Sequence, residues 1–174
     1  MKSIWNEFAK MFGLMDDNQK ADDLNLNKTR NVRNTDIDDY NCGGYALGTF
    51  SWYRPSDNIY FDFGSNHLAS AFNGIENATK ECVEYMLNDF KGKLRVIKST
   101  QELRENEYAI AFRISGNRYN DFHYAKRGDN GVWYHKMGHT KIRKIKKEKV
   151  FAKTWDFGEI EYCGNLVLFA KVKD

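Results

Sequence analysis

The chain is 174 residues long, which is the length of one domain and is enough for a hydrophobic core without disulfide or metal support. Aromatic residues make up 15% of the sequence, a composition that excludes a disordered chain. The net charge of +3 is too small to indicate a nucleic-acid-binding protein by itself, and three widely spaced cysteines argue against a disulfide framework.

The N-terminal segment predicts a short amphipathic helix followed by an exposed connection. Apolar residues recur at helical spacing from Ile4 to Met15, and residues 16–39 are rich in Asp and Asn. We expect the helix to pack on the domain; the alternative is that it binds a partner or a membrane surface. We therefore divide the chain into an N-terminal helix with its connection, residues 1–35, and a domain, residues 36–174.

The first residues lack the apolar run and the small-residue cleavage site of a secretory signal. No run of apolar residues approaches the length of a membrane span. We therefore expect a protein that is cytoplasmic in the cell that makes it, or that is delivered without a signal peptide.

The domain predicts helices first and strands afterwards. Residues 42–53 and 76–90 have helical spacing, and Cys82 falls in the buried stripe of the second helix. Ser99 or Thr100 is expected to cap a single turn. The strands are predicted at residues 94–98, 108–115, 122–127, 132–137 and 166–172. This order predicts an α+β fold with an antiparallel sheet of about five strands.

The last strand is apolar on both faces, with Leu166, Leu168, Ala170 and Val172 alternating with Val167 and Phe169. It is therefore expected to be covered on both sides.

Cys42 is a candidate nucleophile because it stands where the first of these helices begins, in the stretch YNCGGYALG. A helix N-terminus and a neighbouring imidazole both favour the thiolate, which is the reactive form of cysteine. Gly43 and Gly44 leave the backbone open, so that local N–H groups can bind the oxyanion of a substrate carbonyl. The alternative is that Cys42 is a small buried residue.

His123 and His135 stand on two consecutive predicted strands, joined by a turn at residues 128–131. A three-residue loop places Ala125 opposite His135 and puts both histidines on one face, whereas a two-residue loop separates them. On one face, His135 can orient His123, which is the third role of a catalytic triad. The alternative is that His123 is a packed strand residue.

The remaining histidines, His67 and His139, stand in loop contexts and are expected at the surface. A zinc site built from His123, His135 and Cys42 is an alternative, since His and Cys are good ligands, but it lacks a fourth ligand and contains the Gly-Gly pair. We therefore expect no metal or other cofactor.

The stretches YNCGGYALG and DFHYAKRGDNGVWYHKMG resemble the Cys and His motifs of papain-like thiol hydrolases. The resemblance is to the compact branch with NlpC-type cell-wall peptidases and CHAP amidases, and it covers residues 36–138. It implies a papain-like fold with N-terminal helices packed on the sheet, and a Cys-His-His triad of Cys42, His123 and His135.

The same resemblance implies an oxyanion-binding or substrate-binding side chain just upstream of the nucleophile, Asn41 or Tyr40, next to Gly43. The chain departs from the NlpC pattern with Asn41 in place of Asp before the cysteine and Gly43 in place of Ser after it. These departures bear on the substrate rather than on the fold.

The predicted function is a cysteine peptidase or amidase that forms a thioester with a peptide or amide substrate, including a protein. Hydrolysis and acyl transfer share that intermediate, and both stay open. The alternative is a catalytically inactive papain-like binding module, such as a phage or mobile-element inhibitor of a host factor. The basic residues of 141–149 predict a solvated edge strand or hairpin, or a surface for an acidic partner.

Overall fold

A six-stranded antiparallel sheet is the centre of this computed structural model, which describes residues 39–56, 74–115, 121–158 and 160–174. The helical elements are α1 (Cys42–Leu47), α2 (Ile75–Asp89), a 3-10 turn (Thr100–Glu102) and α3 (Lys147–Val150). The strands are β1 (Leu94–Ile97), β2 (Glu107–Ile114), β3 (Phe122–Arg127), β4 (Trp133–Lys136), β5 (Ile142–Ile145), β6 (Trp155–Phe157), β7 (Ile160–Tyr162) and β8 (Val167–Val172).

The strand order in the sheet is β1-β8-β2-β3-β4-β5, and β6 pairs with β7 in a separate ribbon. Every neighbouring pair is antiparallel. The α+β class and the antiparallel sheet are thus confirmed. The sixth strand is β5, which lies at the edge of the sheet as one interpretation of the basic stretch predicts.

The helix α2 follows the predicted pattern, because its buried residues Ala78, Cys82 and Met86 recur at helical spacing. Cys82 is fully buried and is a core thiol, as expected. Ser99 caps the turn before β2 with its side chain, in a capping box with Glu102.

The helix α1 is much shorter than the predicted helix of residues 42–53, which is wrong beyond Leu47. Gly48 has φ 73° and ends the helix in the left-handed conformation that glycine accepts at a C-terminus. The chain then folds back on the helix, and Phe50 N donates a hydrogen bond to Gly44 O.

Each face of the sheet carries its own hydrophobic cluster. One cluster joins α1 and α2 to the sheet through Phe122, Tyr124 and Phe169. The other joins α3 and the β6–β7 ribbon to the opposite face through Ala125 and Leu168. The last strand, β8, is paired on both edges and covered on both faces, so that prediction is confirmed.

The β6–β7 ribbon and α3 are the elements that the sequence reading did not assign. The ribbon sequence WDFGEIEY alternates apolar and polar residues on both sides of Gly158, whose φ of 76° suits the turn. That alternation is the pattern of a hairpin, but each strand has only three residues, so the pattern is weak.

Within the described ranges, no helix combines the length and the apolar character needed to cross a membrane. The predicted N-terminal helix, its connection up to residue 38, and His67 lie outside the described residues.

Candidate active site

The turn between β3 and β4 sets the relation between the two histidines. Gly128 N donates to Val132 O over 2.8 Å, and Gly131 N donates to Gly128 O over 2.9 Å. Ala125 therefore lies opposite His135 in the ladder. The three-residue loop is confirmed, and it places His123 and His135 on one face of the sheet.

The two imidazoles are joined by a hydrogen bond of 3.0 Å between His123 Nε2 and His135 Nδ1. The rings are nearly perpendicular, at 89°. Both side chains are buried, with 2% and 1% of their surface exposed. Because one nitrogen of His123 is used in this contact, the nitrogen left for a reaction partner is Nδ1.

The β6–β7 ribbon covers the histidine pair with aromatic rings. Phe157 lies 4.9 Å from the His123 ring and stacks on His135 at 5.2 Å and 29°, while Tyr162 lies 5.5 Å from His123. This burial lowers the pKa of His123 well below its usual value and lowers the pKa of His135 to about 3. Both imidazoles are therefore neutral across the physiological range.

Cys42 begins α1 and lies against the main chain of β3. Its thiol donates a long hydrogen bond of 3.8 Å to Phe122 O, and the main-chain N–H of Tyr124 lowers the pKa of the thiol. These two groups flank His123 in the strand. β4 pairs with β3 from Ala125 onward, so the edge of β3 beside His123 is where α1 can approach.

The structure thus brings His123 and His135 together, and it places Cys42 beside the same strand from the other face. The hydrogen bond of the thiol runs to a main-chain oxygen rather than to an imidazole nitrogen. Tyr162, on the ribbon side, is buried, and its burial together with the charge of Asp121 raises its pKa.

The surroundings of Cys42 disfavour the ionised thiol that the sequence predicts. Cys42 is 6% exposed, and burial raises its pKa far above the usual range of a thiol. The nearby charge of Asp121 raises that pKa further, while the main-chain N–H groups of Tyr124 and Gly43 and the charge of Lys136 lower it. Burial outweighs the helix N-terminus because α1 has only six residues.

Asn41 is the N-cap of α1 and also holds the returning chain. Its Oδ1 accepts hydrogen bonds from Gly44 N (2.9 Å) and Tyr53 N (3.1 Å), and its Nδ2 donates to Tyr53 O (2.8 Å). One N–H of the amide remains for an oxyanion, since Nδ2 carries two hydrogens.

The two glycines after Cys42 are packed against other parts of the chain, whereas the sequence predicts that they leave the backbone open to a substrate. A Cβ on Gly44 would lie 1.9 Å from Ser51 O, and a Cβ on Gly43 would lie 3.1 Å from Tyr53 O. Position 44 therefore requires glycine, and position 43 leaves little room for a side chain, because the chain folds back closely on α1. Tyr40 is buried as well, and its ring packs against Phe50 at 5.4 Å.

Three further polar residues lie near the predicted triad and were not part of it. Tyr162 donates a 2.6 Å hydrogen bond to Asp121 Oδ2, and Phe122 N donates to Asp121 Oδ1 over 2.8 Å. Burial raises the pKa of Asp121. Lys136 is buried with its ammonium group 4.9 Å from the Tyr40 ring. Asp121 was visible as a polar residue at a strand start, whereas Tyr162 and Lys136 carried no local signal.

The other histidine that the structure describes, His139, is exposed, as expected. Among the described residues, no group of His, Cys, Asp and Glu side chains is arranged to hold a metal ion. Comparisons of the chain with protein-family models, with curated proteins and with solved structures gave no match. What supports a function is therefore the arrangement of Cys42, His123 and His135 within the fold.

Proposed function

We propose that the chain is a cysteine-dependent hydrolase of the papain-like type, a peptidase or amidase, with Cys42 as nucleophile and His123 as base. The observation that carries the proposal is the 3.0 Å hydrogen bond between His123 Nε2 and His135 Nδ1, formed beside the strand edge that Cys42 contacts. A base held by a second polar side chain, with its other nitrogen left for the nucleophile, is the relation found in catalytic triads.

The thiol and the base are both neutral before the reaction, so proton transfer accompanies the attack. Sγ of Cys42 bonds to the substrate carbonyl carbon while its proton passes to Nδ1 of His123, around the edge of β3. His135 Nδ1 accepts the hydrogen bond from His123 Nε2–H and stabilises the imidazolium. His123 then gives the proton to the leaving amine nitrogen, and the C–N bond breaks to leave a thioester.

The second half of the reaction releases the acyl group. His123 takes a proton from water, whose oxygen attacks the thioester carbonyl, and the proton returns to the sulfur as the C–S bond breaks. The Gly43 N–H, which lowers the pKa of the neighbouring thiol, is the main-chain candidate donor for the oxyanion. The remaining N–H of Asn41 is the side-chain candidate.

The test is covalent labelling with a peptidyl vinyl sulfone, an electrophile that resembles a substrate. We expect Cys42 to be labelled in the native protein, and the His123→Ala variant to be labelled about a hundredfold more slowly because the proton acceptor is lost. The Cys82→Ser variant is the matched control and keeps the wild-type rate. Peptide mass spectrometry locates the adduct, and equal rates in wild type and His123→Ala would overturn the proposal.

A small neutral electrophile gives a different pattern. Iodoacetamide is expected to modify the exposed Cys163 before Cys42, because the Cys42 thiol is buried and neutral. Selective attack on Cys42 by the peptidyl electrophile alone therefore indicates assisted proton transfer rather than a generally reactive thiol.

The second candidate is an inactive binding module with the same fold. The burial of Cys42 and of both histidines favours it, because a packed polar pair also serves as a structural element of a core. In that case the peptidyl probe leaves Cys42 unmodified in the native protein. Partner binding would then involve exposed surface such as the lysines that flank the edge strand β5, Lys141, Lys146 and Lys147.

A further inference from the structure

Two nitrogen atoms on the far side of the histidine pair are buried and have no hydrogen-bond partner among the described residues. They are His135 Nε2, which is the nitrogen not used by His123, and Arg143 Nε. His135 and Arg143 lie directly opposite each other on β4 and β5, so their side chains share a face. Buried polar atoms are normally paired, and two neighbouring exceptions suit a further polar group between them.

The surroundings of these two nitrogens are positively charged. The charges of Arg143 and Lys149 both act on the His135 ring. Lys149 Nζ lies 5.4 Å from the Phe157 ring, which itself stacks on His135 at 5.2 Å, and it donates to Asp156 O over 3.3 Å. Arg143 and Lys149 therefore give the buried side of the His135 ring a positive environment.

The charges around His135 also decide which proton arrangement the neutral pair adopts. In one arrangement, His123 Nε2–H donates to His135 Nδ1, and the proton of His135 is on Nε2. In the other, His135 Nδ1–H donates to His123 Nε2, and a lone pair on His135 Nε2 faces Arg143 and Lys149. The cations favour the second arrangement, because the lone pair is the electron-rich side of a neutral imidazole.

The second arrangement prevents His123 from acting as a base. A neutral His123 that accepts at Nε2 carries its own proton on Nδ1, so Nδ1 has no lone pair for the thiol proton of Cys42. The first arrangement leaves that lone pair in place. The proton count is the same in both, since one proton on each ring moves between its two nitrogens through exchange with solvent.

We propose that an oxyanion, a phosphate or a carboxylate, binds between Arg143, Lys149 and His135 Nε2 and switches the pair to the arrangement in which His123 is a base. Arg143 Nε–H and His135 Nε2–H each donate to an anion oxygen, and Lys149 contributes its charge. The effect on catalysis rests on the proposed hydrolase function, whereas the anion site rests on the two unpaired nitrogens and the charges around them. The oxyanion is either a free phosphate or an acidic side chain of a peptide.

Nitrogen-15 NMR of the histidine rings tests the site directly, because bare and protonated imidazole nitrogens have well-separated resonances. Inorganic phosphate in the millimolar range is expected to convert His135 Nε2 from bare to protonated in a saturable manner, while chloride at equal ionic strength leaves it bare. Arg143→Gln should weaken the phosphate response about tenfold, as expected for the loss of one charged donor. Lys141→Gln, at an exposed position of the same segment, is the matched control and responds like wild type.

A glutamate pentapeptide and its glutamine counterpart separate the two sources of the anion. If the glutamate peptide protonates His135 Nε2 at a lower concentration than phosphate does, and the glutamine peptide does not, the site binds substrate carboxylates. If phosphate acts at the lower concentration, the site binds free phosphate. Should Arg143→Gln fail to fold, Lys149→Gln serves in its place. The site is overturned if phosphate does not change the His135 Nε2 resonance. It is also overturned if phosphate changes this resonance as strongly in the Arg143→Gln and Lys149→Gln variants as in wild type.

Labelling of Cys42 by the peptidyl vinyl sulfone, with and without phosphate, separates this inference from the proposed function. Acceleration by phosphate in wild type and not in Arg143→Gln supports both. A phosphate-dependent Nε2 resonance without any labelling of Cys42 supports the anion site and overturns the hydrolase. Labelling that is fast and independent of phosphate supports the hydrolase and overturns the switch.

Discussion

At the scale of single residues, the hydrogen bond between His123 and His135 decides which nitrogen of each ring is left to react. Burial keeps both rings uncharged, and it does the same for the Cys42 thiol. A neutral thiol beside a neutral imidazole requires a base that is already aligned, because no ion pair attracts the two groups. The alignment of His123 by His135 is therefore the property on which activity should depend most.

Substitutions of His135 test that alignment. His135→Ala removes the acceptor for His123 Nε2–H, and we expect labelling of Cys42 by the peptidyl probe to fall by about one to two orders of magnitude. His135→Asn should recover part of the rate, because its amide oxygen can still accept the hydrogen bond. The exposed His139→Ala is the control and keeps the wild-type rate. Equal loss in the Ala and Asn variants would show that His135 acts through packing alone.

The residue-level features that the sequence predicted correctly are those set by local rules. The turn at residues 128–131 fixes the register, and the register puts His135 beside His123. The protonation state of Cys42 was not predictable in this way, because it depends on burial by elements distant in sequence. The glycines after Cys42 likewise serve contacts with Ser51 and Tyr53, which depend on where α1 ends.

At the scale of elements, the β6–β7 ribbon controls the environment of the histidine pair. Trp155, Phe157 and Tyr162 all contact His123, and Phe157 contacts His135 too. The ribbon is a two-stranded element outside the main sheet, held by the cluster on that face. Isolated two-stranded ribbons are marginally stable, so its packing on the histidines and on the sheet stabilises both.

Truncation of Phe157 tests the effect of the ribbon on proton affinity. Phe157→Ala removes the ring stacked on His135 and admits water, so the pKa of both histidines should rise toward the usual value of about 6.5. NMR titration of the imidazole carbon resonances measures the change. Phe151→Ala is the matched control, because Phe151 is 41% exposed and its ring contacts Trp133 instead. Unchanged histidine titration in Phe157→Ala would show that the other covering residues determine their burial.

The elements that the sequence revealed are those with a long, regular hydrophobic period, such as α2 and the strands β2, β3 and β8. The ribbon strands have three residues each, too few for periodicity to be strong. The early end of α1 was missed because apolar residues continue at helical spacing beyond Gly48, while the folding back of the chain determines the real boundary.

At the scale of the whole molecule, the site is placed by two layers that cover opposite faces of one sheet. Cys42 comes from the layer with α1 and α2, and the histidines lie under the layer with the ribbon. The class and sheet type followed from the order of helices and strands, whereas this division of the site between two faces did not. The order of elements along the chain predicts which strands are neighbours in the sheet. It does not predict on which face of the sheet a covering helix or ribbon packs.

The buried histidines make the stability of the whole molecule depend on pH. The histidine pKa values are lowered in the folded protein, to about 3 for His135, so from about pH 6.5 downward toward pH 3 the unfolded chain binds protons that the folded chain does not. Stability therefore falls as the pH falls through this window. The buried carboxyl of Asp121 has a raised pKa and acts in the opposite direction, in the range above its unfolded value of about 4.

The expected slope distinguishes the two buried histidines from other acid-sensitive groups. Each contributes up to about 1.4 kcal/mol of unfolding free energy per pH unit, so the pair gives a slope of about 2 to 3 kcal/mol per unit below pH 6.5. Urea unfolding followed by tryptophan fluorescence at several pH values measures it. His135→Asn should reduce the slope by about half, since one buried titrating group is removed, while His139→Asn at an exposed position keeps the wild-type slope. A wild-type slope in His135→Asn would mean that other groups produce the slope and that the pKa of His135 is not lowered in the folded protein.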